Sequence, residues 1–264
     1  VQRIVTLLDH NIRPVIVFDG SPLPAKAGTE SDRGAARRRA REEALHHDRA
    51  GNFTLAEENY KKAVDVTPRM ALELIKELRA LNVEYMVAPY EADAQLAFLY
   101  QHKHVSAVIT EDSDLLVFGC RHVIFKLDRD GLGQAIRLDD LASVDAVSFV
   151  GWTPDRFRHL CILSGCDYLP SVARLGLRKA HKLVAQYHSP ARVIQKLREA
   201  GGYEVPHDYE ARFALADLAF RYQRVWDPVA KKVRTLGDIP ASVVLQPEQD
   251  AYIGRYVGRI DIWN

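Results

Sequence analysis

Six acidic residues stand out because each lies where a predicted strand or an apolar helix ends, or where the next helix begins. In chain order, one closes an apolar run, two open a helix after a second run, two follow a third run, and one follows an apolar helix. They are Asp19, Glu91, Asp93, Asp112, Asp114 and Asp167. Because the carboxyl ends of parallel strands lie at one edge of a sheet, we expect the first five to gather there.

Crowded carboxylates repel one another and raise each other's pKa unless a strong positive charge lies among them. Hard divalent cations meet that need, and Mg²⁺ or Mn²⁺ suits carboxylate and water ligands. Two ions about 3.5–4 Å apart would need as many oxygens as this set supplies. The predicted chemistry is phosphodiester hydrolysis, in which one ion lowers the pKa of the attacking water and the other stabilises the leaving oxygen.

Each acid also has a simpler interpretation. Asp19 could be a turn residue before Gly20. The pair at the start of the following helix could favour the helix dipole, and either acid of the next pair could cap a helix. Asp167 follows a helix C-terminus, where the dipole disfavours an acid. The joint placement of all six favours the metal interpretation.

The elements that must position these acids alternate between strands and helices. Four short β-rich runs occur at residues 14–18, 83–88, 107–110 and 123–127. A helix with Thr67 as its cap and Pro68 at its first position lies between the first two runs, and another covers 91–100. This alternation predicts an α/β fold, with one mostly parallel sheet flanked by helices.

The regions around this core have a different pattern. Residues 21–66 are polar with little apolar stripe, which predicts a protruding helical excursion. After about residue 150 the strands stop, and helices are predicted near 154–164, 176–187, 189–200 and 208–225. We therefore divide the chain into a core at 1–150 that contains the excursion, a helical region at 151–226 and an extended C-terminal segment at 227–264.

Two stretches concentrate positive charge. Between residues 168 and 198 there is no acid, and a Gly-containing turn leads into a basic helix. Backbone N–H groups at such a helix start can bind a phosphate, although a solvated basic face is the alternative. The basic residues of interest there are Arg174, Arg178, Lys179 and Lys182.

The second basic stretch lies in the excursion, where no acid occurs among residues 33–41. It holds Arg33, Arg37, Arg38, Arg39 and Arg41, preceded by Lys26. A nuclear-localisation tract and a solvated helix are the competing interpretations. Contacts of such side chains with phosphates would depend on salt and not on base sequence.

Bulk composition excludes several classes. The 264 residues are 47% hydrophobic with a net charge of +1, which is ordinary for a globular protein. Three cysteines at scattered positions favour neither a disulfide framework nor a zinc site and fit a reducing compartment. No apolar run reaches about 18 residues and no signal peptide opens the chain, so we expect no membrane role.

Four segments together resemble the motifs of the flap endonuclease superfamily, and in detail its exonuclease 1 branch. They are VFDG at 17–20, YEADAQL at 90–96, TEDSDLLVFGC at 110–120 and LSGCDYL at 163–169. The similarity extends over roughly residues 1–258 in the same order. It implies a PIN-like core, a helical arch at about 21–66 and a helix–three-turn–helix DNA-binding region at 151–226.

The resemblance also implies roles for individual residues. The six acids would bind two Mg²⁺ ions, for which Mn²⁺ could substitute. Lys26 and Arg33 match arch residues that contact the scissile phosphate, where charge develops in the transition state. Ser164, Ser171 and Leu175 match a potassium site beside a DNA phosphate. The DNA-binding set would be Arg37, Arg38, Arg174, Arg178, Lys179 and Lys182.

The function that the resemblance implies is a structure-specific 5′→3′ DNA exonuclease and flap endonuclease of DNA repair, acting in mismatch repair and recombination in the nucleus. Its substrate would be double-stranded DNA with a 5′ end, nick, gap or flap, and mismatch-repair proteins are possible partners. An RNA-directed PIN-type nuclease or a Mg²⁺ phosphatase on a similar sheet is another interpretation.

Three features depart from the family pattern. The family begins with Met-Gly and a strand that ends in another metal-binding Asp, which predicts that this chain lacks that strand. The alternative function is therefore a catalytically impaired DNA-binding fragment. Arg174 replaces a family glycine, and a positive φ there would cost on the order of 1 kcal/mol. The ending at 258–264 has no family character.

Overall fold

The computed structural model describes residues 1–144 and 146–256, and the chain divides into two compact units. The larger unit combines Val1–Ala25 with the chain from Val83 onward, and the smaller unit is Lys26–Asn82. Much of the polar excursion predicted at 21–66 therefore forms a unit of its own. The predicted boundaries near residues 150 and 226 stay predictions.

Four apolar runs form the strands that the sequence predicts. They are β1 (Val15–Phe18), β2 (Glu84–Val87), β3 (Val108–Ile109) and β4 (His122–Phe125). β1 pairs with β2 in parallel, with Phe18 opposite Val87, and β3 pairs with β4 in parallel. Parallel partners end at the same edge, so Asp19 follows β1 close to the end of β2.

Helices account for most of the remaining chain. The larger unit contains α1 (Gln2–Asp9), α5 (Ala92–Gln101), α6 (Asp114–Val117), α7 (Pro154–Ser164), α8 (Leu177–Tyr187), α9 (Pro190–Glu199), α10 (Tyr209–Tyr222) and α11 (Pro247–Tyr252). A 3₁₀ turn at Pro24–Lys26 leads from the larger unit into the smaller one, which contains α2 (Ala27–Arg49), α3 (Phe53–Ala63) and α4 (Pro68–Ala80). The helices predicted near 154–164, 176–187, 189–200 and 208–225 are confirmed as α7 to α10.

Local capping chemistry explains why several of these helices begin where they do. The Thr67 hydroxyl accepts a hydrogen bond from the Met70 N–H, and Pro68 occupies the first position of α4. Thr153 and Pro154 repeat the arrangement at α7, where Thr153 accepts from the Arg156 N–H. Both starts follow from the sequence because the cap and the proline are adjacent in it.

The prediction of a single, mostly parallel sheet is wrong. In the described part of the chain the strands form three separate sheets, β1–β2, β3–β4–β5 and β6–β7, where β5 is Gln134–Arg137, β6 is Arg224–Asp227 and β7 is Lys232–Thr235. β5 runs antiparallel to β4. The connection between them is too short for a crossover, and Asp128 Oδ1 closes its turn by accepting from the Asp130 and Leu132 N–H groups.

The expectation that strands stop after residue 150 is also wrong, because β6 and β7 form an antiparallel hairpin. Asp227 Oδ1 accepts from the Val229 and Ala230 N–H groups, which nucleates the hairpin turn. The predicted extended segment at 227–264 therefore contains β7 and the helix α11. Its last part, 257–264, lies outside the described residues.

Helix α5 is fixed because it is buried on two sides. Phe98 belongs to the main core of the larger unit with Leu115 and Leu160, whereas Leu99 packs with Met86 in a second cluster. A helix buried in this way holds its N-terminal residues in place, and those residues include two of the candidate ligands. None of the helices in the described ranges has the length and apolar character needed to cross a membrane.

The smaller unit is a helical unit built on small side chains. Ala40 and Ala44 of α2 and Ala56 of α3 are buried, which lets these two helices pack closely. An ion pair of 3.3 Å joins Arg37 to Asp65 just beyond α3. The helical character predicted for the excursion is thus confirmed, while its role as an arch stays a prediction.

Candidate metal centre and nucleic-acid interface

Asp19 connects the end of β1 to the start of α5. Its Oδ1 accepts a hydrogen bond of 2.8 Å from the Ala92 N–H, at the N-terminus of that helix. The neighbouring Gly20 N–H donates to the Tyr90 carbonyl at 2.6 Å. A Cβ atom at Gly20 would stand 1.9 Å from the Ala88 carbonyl oxygen, so only glycine permits this close approach.

Glu91 connects the start of α5 to the loop after α7. It is only 8% exposed, and its Oε2 accepts a hydrogen bond of 2.5 Å from the Tyr168 hydroxyl. Burial raises the pKa of Tyr168 well above its usual value, and the charge of Glu91 raises it further. Tyr168 therefore stays protonated and donates to the carboxylate, which places Asp167, its neighbour in the chain, close to this contact.

Asp112 and Asp114 are held by the turn that follows β3. Asp112 Oδ1 accepts from the Asp114 N–H at 2.9 Å, and the Asp112 N–H donates to the Thr110 hydroxyl at 3.0 Å. Burial raises the pKa of Cys161 to about 12, with a further contribution from the charge of Asp114. Asp114 begins α6, a helix that packs against α7.

The same region contains the other thiols, which are all free. Burial raises the pKa of Cys166 to about 11, and the charges of Asp114 and Asp167 contribute. Burial raises the pKa of Cys120 to about 12, with a contribution from Asp93. The carboxylate oxygens of this region are the donors that suit Mg²⁺ or Mn²⁺.

The structure places Asp19 and Glu91 at the start of α5 but does not assemble a complete ion site. Asp19 accepts a hydrogen bond from the Ala92 N–H, and Tyr168 joins Glu91 to the loop of Asp167. Among residues 1–144 and 146–256, however, no group of three or more His, Cys, Asp or Glu side chains stands close enough to hold one metal ion. The donors fit Mg²⁺ or Mn²⁺ chemically, and the predicted ligand set stays a prediction.

The loop between α7 and α8 contains the three residues predicted to bind potassium. The Ser164 hydroxyl donates to the Leu160 carbonyl at 2.8 Å. Gly165 has a φ of +101°, and a Cβ atom there would lie 3.2 Å from the Ser171 nitrogen, so Ser171 packs against the end of α7. The Leu175 N–H closes a turn on Val172 at 2.9 Å.

Arg174, which stands where the family has a glycine, adopts the left-handed conformation with a φ of +69°. It is exposed, as are the other three basic residues predicted to bind DNA at this turn and in α8, which are Arg178, Lys179 and Lys182. The Lys179 ammonium donates to the Arg174 carbonyl at 3.4 Å. The turn and the helix therefore present a basic surface to solvent.

The basic residues of the smaller unit lie at or in α2. Lys26 ends the 3₁₀ turn just before the helix, and Arg33 forms an ion pair of 3.1 Å with Glu30. Arg37 pairs with Asp65, and Arg38 is exposed.

Sequence reasoning missed the polar residues that support the acids. Gln223 Nε2 donates to the Tyr168 hydroxyl at 2.7 Å. Gln95 forms two hydrogen bonds with the backbone of Trp226, donating at 2.9 Å and accepting at 2.7 Å. Both glutamines are fully buried. Gln95 could have been indicated as a polar residue inside an otherwise apolar segment, whereas Gln223 lies between Tyr222 and Arg224 and carries no such signal.

Comparison with known proteins gives the class. The XPG N-terminal domain model matches residues 1–40, and the XPG I-region model matches residues 82–167. The chain is 45% identical to exonuclease 1 of Oryza sativa subsp. japonica over 239 residues, which is 90% of this chain and 28% of that protein. It is 40% identical to exodeoxyribonuclease 1 of Schizosaccharomyces pombe over 256 residues, 97% of this chain and 44% of that protein.

Solved structures show the same fold. The catalytic core of Rad2 in complex with DNA substrate has a TM-score of 0.56 at 20% identity, covering 97% of this chain and 69% of that one. The junction-resolving enzyme GEN1 matches with a TM-score of 0.53 both in complex with product DNA and Mg²⁺, at 20% identity, and with potassium, at 19%. Each match covers 87% of this chain and 51% of the other.

The chain belongs to the flap endonuclease superfamily, an α/β class of nucleases. Within that superfamily its sequence is close to exonuclease 1. It spans about 28–44% of the length of the two relatives described above.

Proposed function

We propose that this chain is the catalytic part of a structure-specific 5′→3′ DNA exonuclease and flap endonuclease that acts in DNA repair. The observation that carries the proposal is that Asp19, from the end of β1, and Tyr168, from the loop after α7, both form hydrogen bonds at the start of α5, where Glu91 lies. These contacts occur in a chain whose sequence is 45% identical to an exonuclease 1. A small-molecule hydrolase would not need the exposed basic turn and helix that follow Asp167.

The residues that would hold the ions are Asp19, Glu91, Asp93, Asp112, Asp114 and Asp167. Two bound Mg²⁺ ions, or Mn²⁺ in their place, would supply an activated water and charge stabilisation for the leaving oxygen. The relative GEN1 has been solved with Mg²⁺, which supports this choice of ion. The contribution of the chain is to fix the carboxylates, and Ala92 and Tyr168 do so by donating hydrogen bonds to two of them.

Positive side chains would bind the phosphates on either side of the bond that is cut. Lys26 and Arg33 would stabilise the charge that develops on the scissile phosphate, as in a helical arch. Arg37 and Arg38 would contact the backbone further along the strand. Each of these residues lies at or in α2, so the helix would present them together.

The segment from α7 to α8 would act as the helix–three-turn–helix element that grips duplex DNA. Backbone N–H groups at the start of α8 and the basic residues Arg174, Arg178, Lys179 and Lys182 would bind the phosphates. Ser164, Ser171 and Leu175 would bind K⁺ beside one phosphate, and the potassium-bound structure of GEN1 supports this assignment. The substrate would be double-stranded DNA with a 5′ end, nick, gap or flap.

The cellular setting follows from the same resemblance. DNA repair by relatives of the exonuclease 1 type implies a nuclear protein. Mismatch-repair proteins are the partner class that we propose.

A cleavage assay tests the proposed function. The full-length protein carrying this chain is incubated with Mg²⁺ and a duplex labelled at its recessed 5′ end, beside the variants Asp112→Asn and Asp140→Asn. Asp140 is an exposed acid in the 3₁₀ turn that follows β5 and is not one of the candidate ligands, so its variant controls for the loss of one charge.

We expect the wild type and Asp140→Asn to release 5′-phosphorylated products at equal rates. Asp112→Asn should be slower by at least about 100-fold, because a ligand to the ions contributes several kcal/mol to the transition state. Binding of DNA without Mg²⁺-dependent product would refute the nuclease proposal. Faster cleavage of an RNA duplex of the same sequence would refute the proposal that DNA is the substrate.

A further inference from the structure

Two buried glutamines link the C-terminal hairpin of the larger unit to the acidic start of α5. Buried amides are costly unless they form hydrogen bonds, so their partners show what they hold in place. Gln95, one turn after Glu91 in α5, binds both backbone groups of Trp226 in β6. This double contact fixes α5 against β6.

Gln223, the residue just before β6, reaches the same acidic end by a second route. Its Nε2 donates to the Tyr168 hydroxyl at 2.7 Å, and the Tyr168 hydroxyl donates to Glu91 Oε2 at 2.5 Å. A tyrosine hydroxyl carries one proton. Because Gln223 donates to the hydroxyl oxygen, the Tyr168 proton is directed to the Glu91 carboxylate.

Backbone hydrogen bonds fix the position of Gln223, from which its side chain donates to Tyr168. Its carbonyl accepts from the Leu236 N–H at 2.8 Å, and the next N–H in the chain, that of Arg224, donates to the Ile253 carbonyl at 3.2 Å. The side chain of Gln223 is completely buried, and its Oε1 has no hydrogen-bond partner among the described residues. A buried amide oxygen without a partner lowers the stability of the fold. The interaction that this arrangement provides is the hydrogen bond from Gln223 to Tyr168.

We propose that Tyr168 and Gln223 are positioning residues that fix the Glu91 carboxylate in the geometry required for ion binding, with Gln95 and Trp226 fixing the helix that carries it. The inference rests on the proposed function, because Glu91 is one of its metal ligands. Partners of a ligating carboxylate orient it before the ion arrives, and their loss typically weakens metal binding or activity by about 10- to 100-fold.

Binding of Mn²⁺ without DNA tests the proposal by a readout other than cleavage. The electron paramagnetic resonance signal of free Mn²⁺ is titrated against the full-length protein carrying this chain and its Tyr168→Phe variant. Tyr209→Phe is the matched control, because Tyr209 is another buried tyrosine of the core and the Glu91 carboxylate is bonded by Tyr168 instead. Gln223→Leu is a second variant that leaves the Tyr168 hydroxyl in place.

We expect the dissociation constant for Mn²⁺ to rise about 10- to 100-fold in Tyr168→Phe, to rise in Gln223→Leu, and to stay within twofold of wild type in Tyr209→Phe. The Mg²⁺ concentration for half-maximal cleavage should shift in the same order. If Tyr168→Phe binds Mn²⁺ as tightly as the wild type does, and the wild type cleaves DNA, this inference is wrong and the proposed function stands. A wild type that neither binds Mn²⁺ nor cleaves DNA would overturn the proposed function as well.

Discussion

Gly20 allows the chain to bring Asp19 to the start of α5. Its missing side chain lets the backbone pass the Ala88 carbonyl at a distance that no Cβ atom tolerates. The structural requirement at this position therefore comes from close approach of two backbones and not from an unusual φ angle.

We predict that Gly20→Ala lowers the free energy of unfolding by about 1–3 kcal/mol, because the added methyl group forces the backbone apart. Chemical denaturation measures the change. Gly28→Ala in α2 is the control, since a Cβ atom there meets nothing within 4 Å. Equal stabilities of Gly20→Ala and wild type would show that the loop moves freely and that Asp19 is not held as described.

Arg174 is strained for the opposite reason, because its φ of +69° suits glycine. We predict that Arg174→Gly is more stable to chemical denaturation than Arg174→Ala by about 1 kcal/mol. Both variants remove the charge, so their difference isolates the backbone strain. If the alanine variant is the more stable of the two, the turn does not impose this conformation.

At the scale of residues the sequence identifies the acids but not their supports. Asp19 and Asp112 could be found because each follows a short apolar run. Tyr168 and Gln223 could not, because the hydrogen bonds of Tyr168 join residues 77 and 55 positions apart in the chain. Contacts of that kind depend on tertiary packing, which local sequence patterns do not predict.

Helices α7 and α10 are joined by a partly buried ionic network. Arg158 of α7 donates to Asp217 of α10 at 2.6 Å, and His159 lies 3.6 Å from the same carboxylate. Burial alone would raise the pKa of Asp217, but its bonds to His159 and Arg158 outweigh that effect and lower the pKa to about 2. The carboxylate is therefore more acidic in the folded protein than in the unfolded chain.

A lowered pKa means that Asp217 stabilises the fold above pH 4 and that the contribution disappears as the pH falls towards 2. We predict that wild type loses about 2 kcal/mol more unfolding free energy between pH 4 and pH 2 than Asp217→Asn does. Denaturation curves across that range measure the difference. Asp155→Asn, which removes an exposed partner of Arg158, should follow wild type more closely. Parallel curves for wild type and Asp217→Asn would contradict this assignment.

Helix α8 gives a prediction for DNA binding. Each phosphate contact releases about one counterion, so Lys179→Ala should reduce the slope of log binding constant against log salt concentration by about one. Lys196→Ala in α9 is the control, because Lys196 already pairs with Glu199 at 2.6 Å. Fluorescence anisotropy with labelled duplex DNA measures both slopes. An unchanged slope in Lys179→Ala would show that Lys179 does not contact a DNA phosphate, which contradicts the proposed role of α8.

At the scale of elements the sequence is most informative where caps are local. The starts of α4 and α7 follow from Thr–Pro pairs, and the first four strands follow from β-rich runs. The hairpin of β6 and β7 was missed because neither strand is a continuous apolar run and its turn depends on the Asp227 side chain. β6 begins and ends with charged residues, and β7 contains Lys232 and Arg234.

At the scale of the whole molecule, alternation of strands and helices correctly indicated an α/β fold but not the separation of the strands into different sheets. Hydrogen bonding between particular strands depends on how the helices pack between them, which alternation alone leaves open. The contacts around the start of α5 depend less on sheet continuity, since the side chains of Asp19, Tyr168 and Gln95 make them directly.

The most direct test of the central claim, that these carboxylates form a divalent-ion site, is the anomalous scattering of Mn²⁺ in crystals of the protein. We predict anomalous density within coordination distance of Glu91, Asp112 and Asp167, and its loss in crystals of Asp112→Asn. Manganese bound only elsewhere, or no density at these carboxylates at saturating Mn²⁺, would contradict the account.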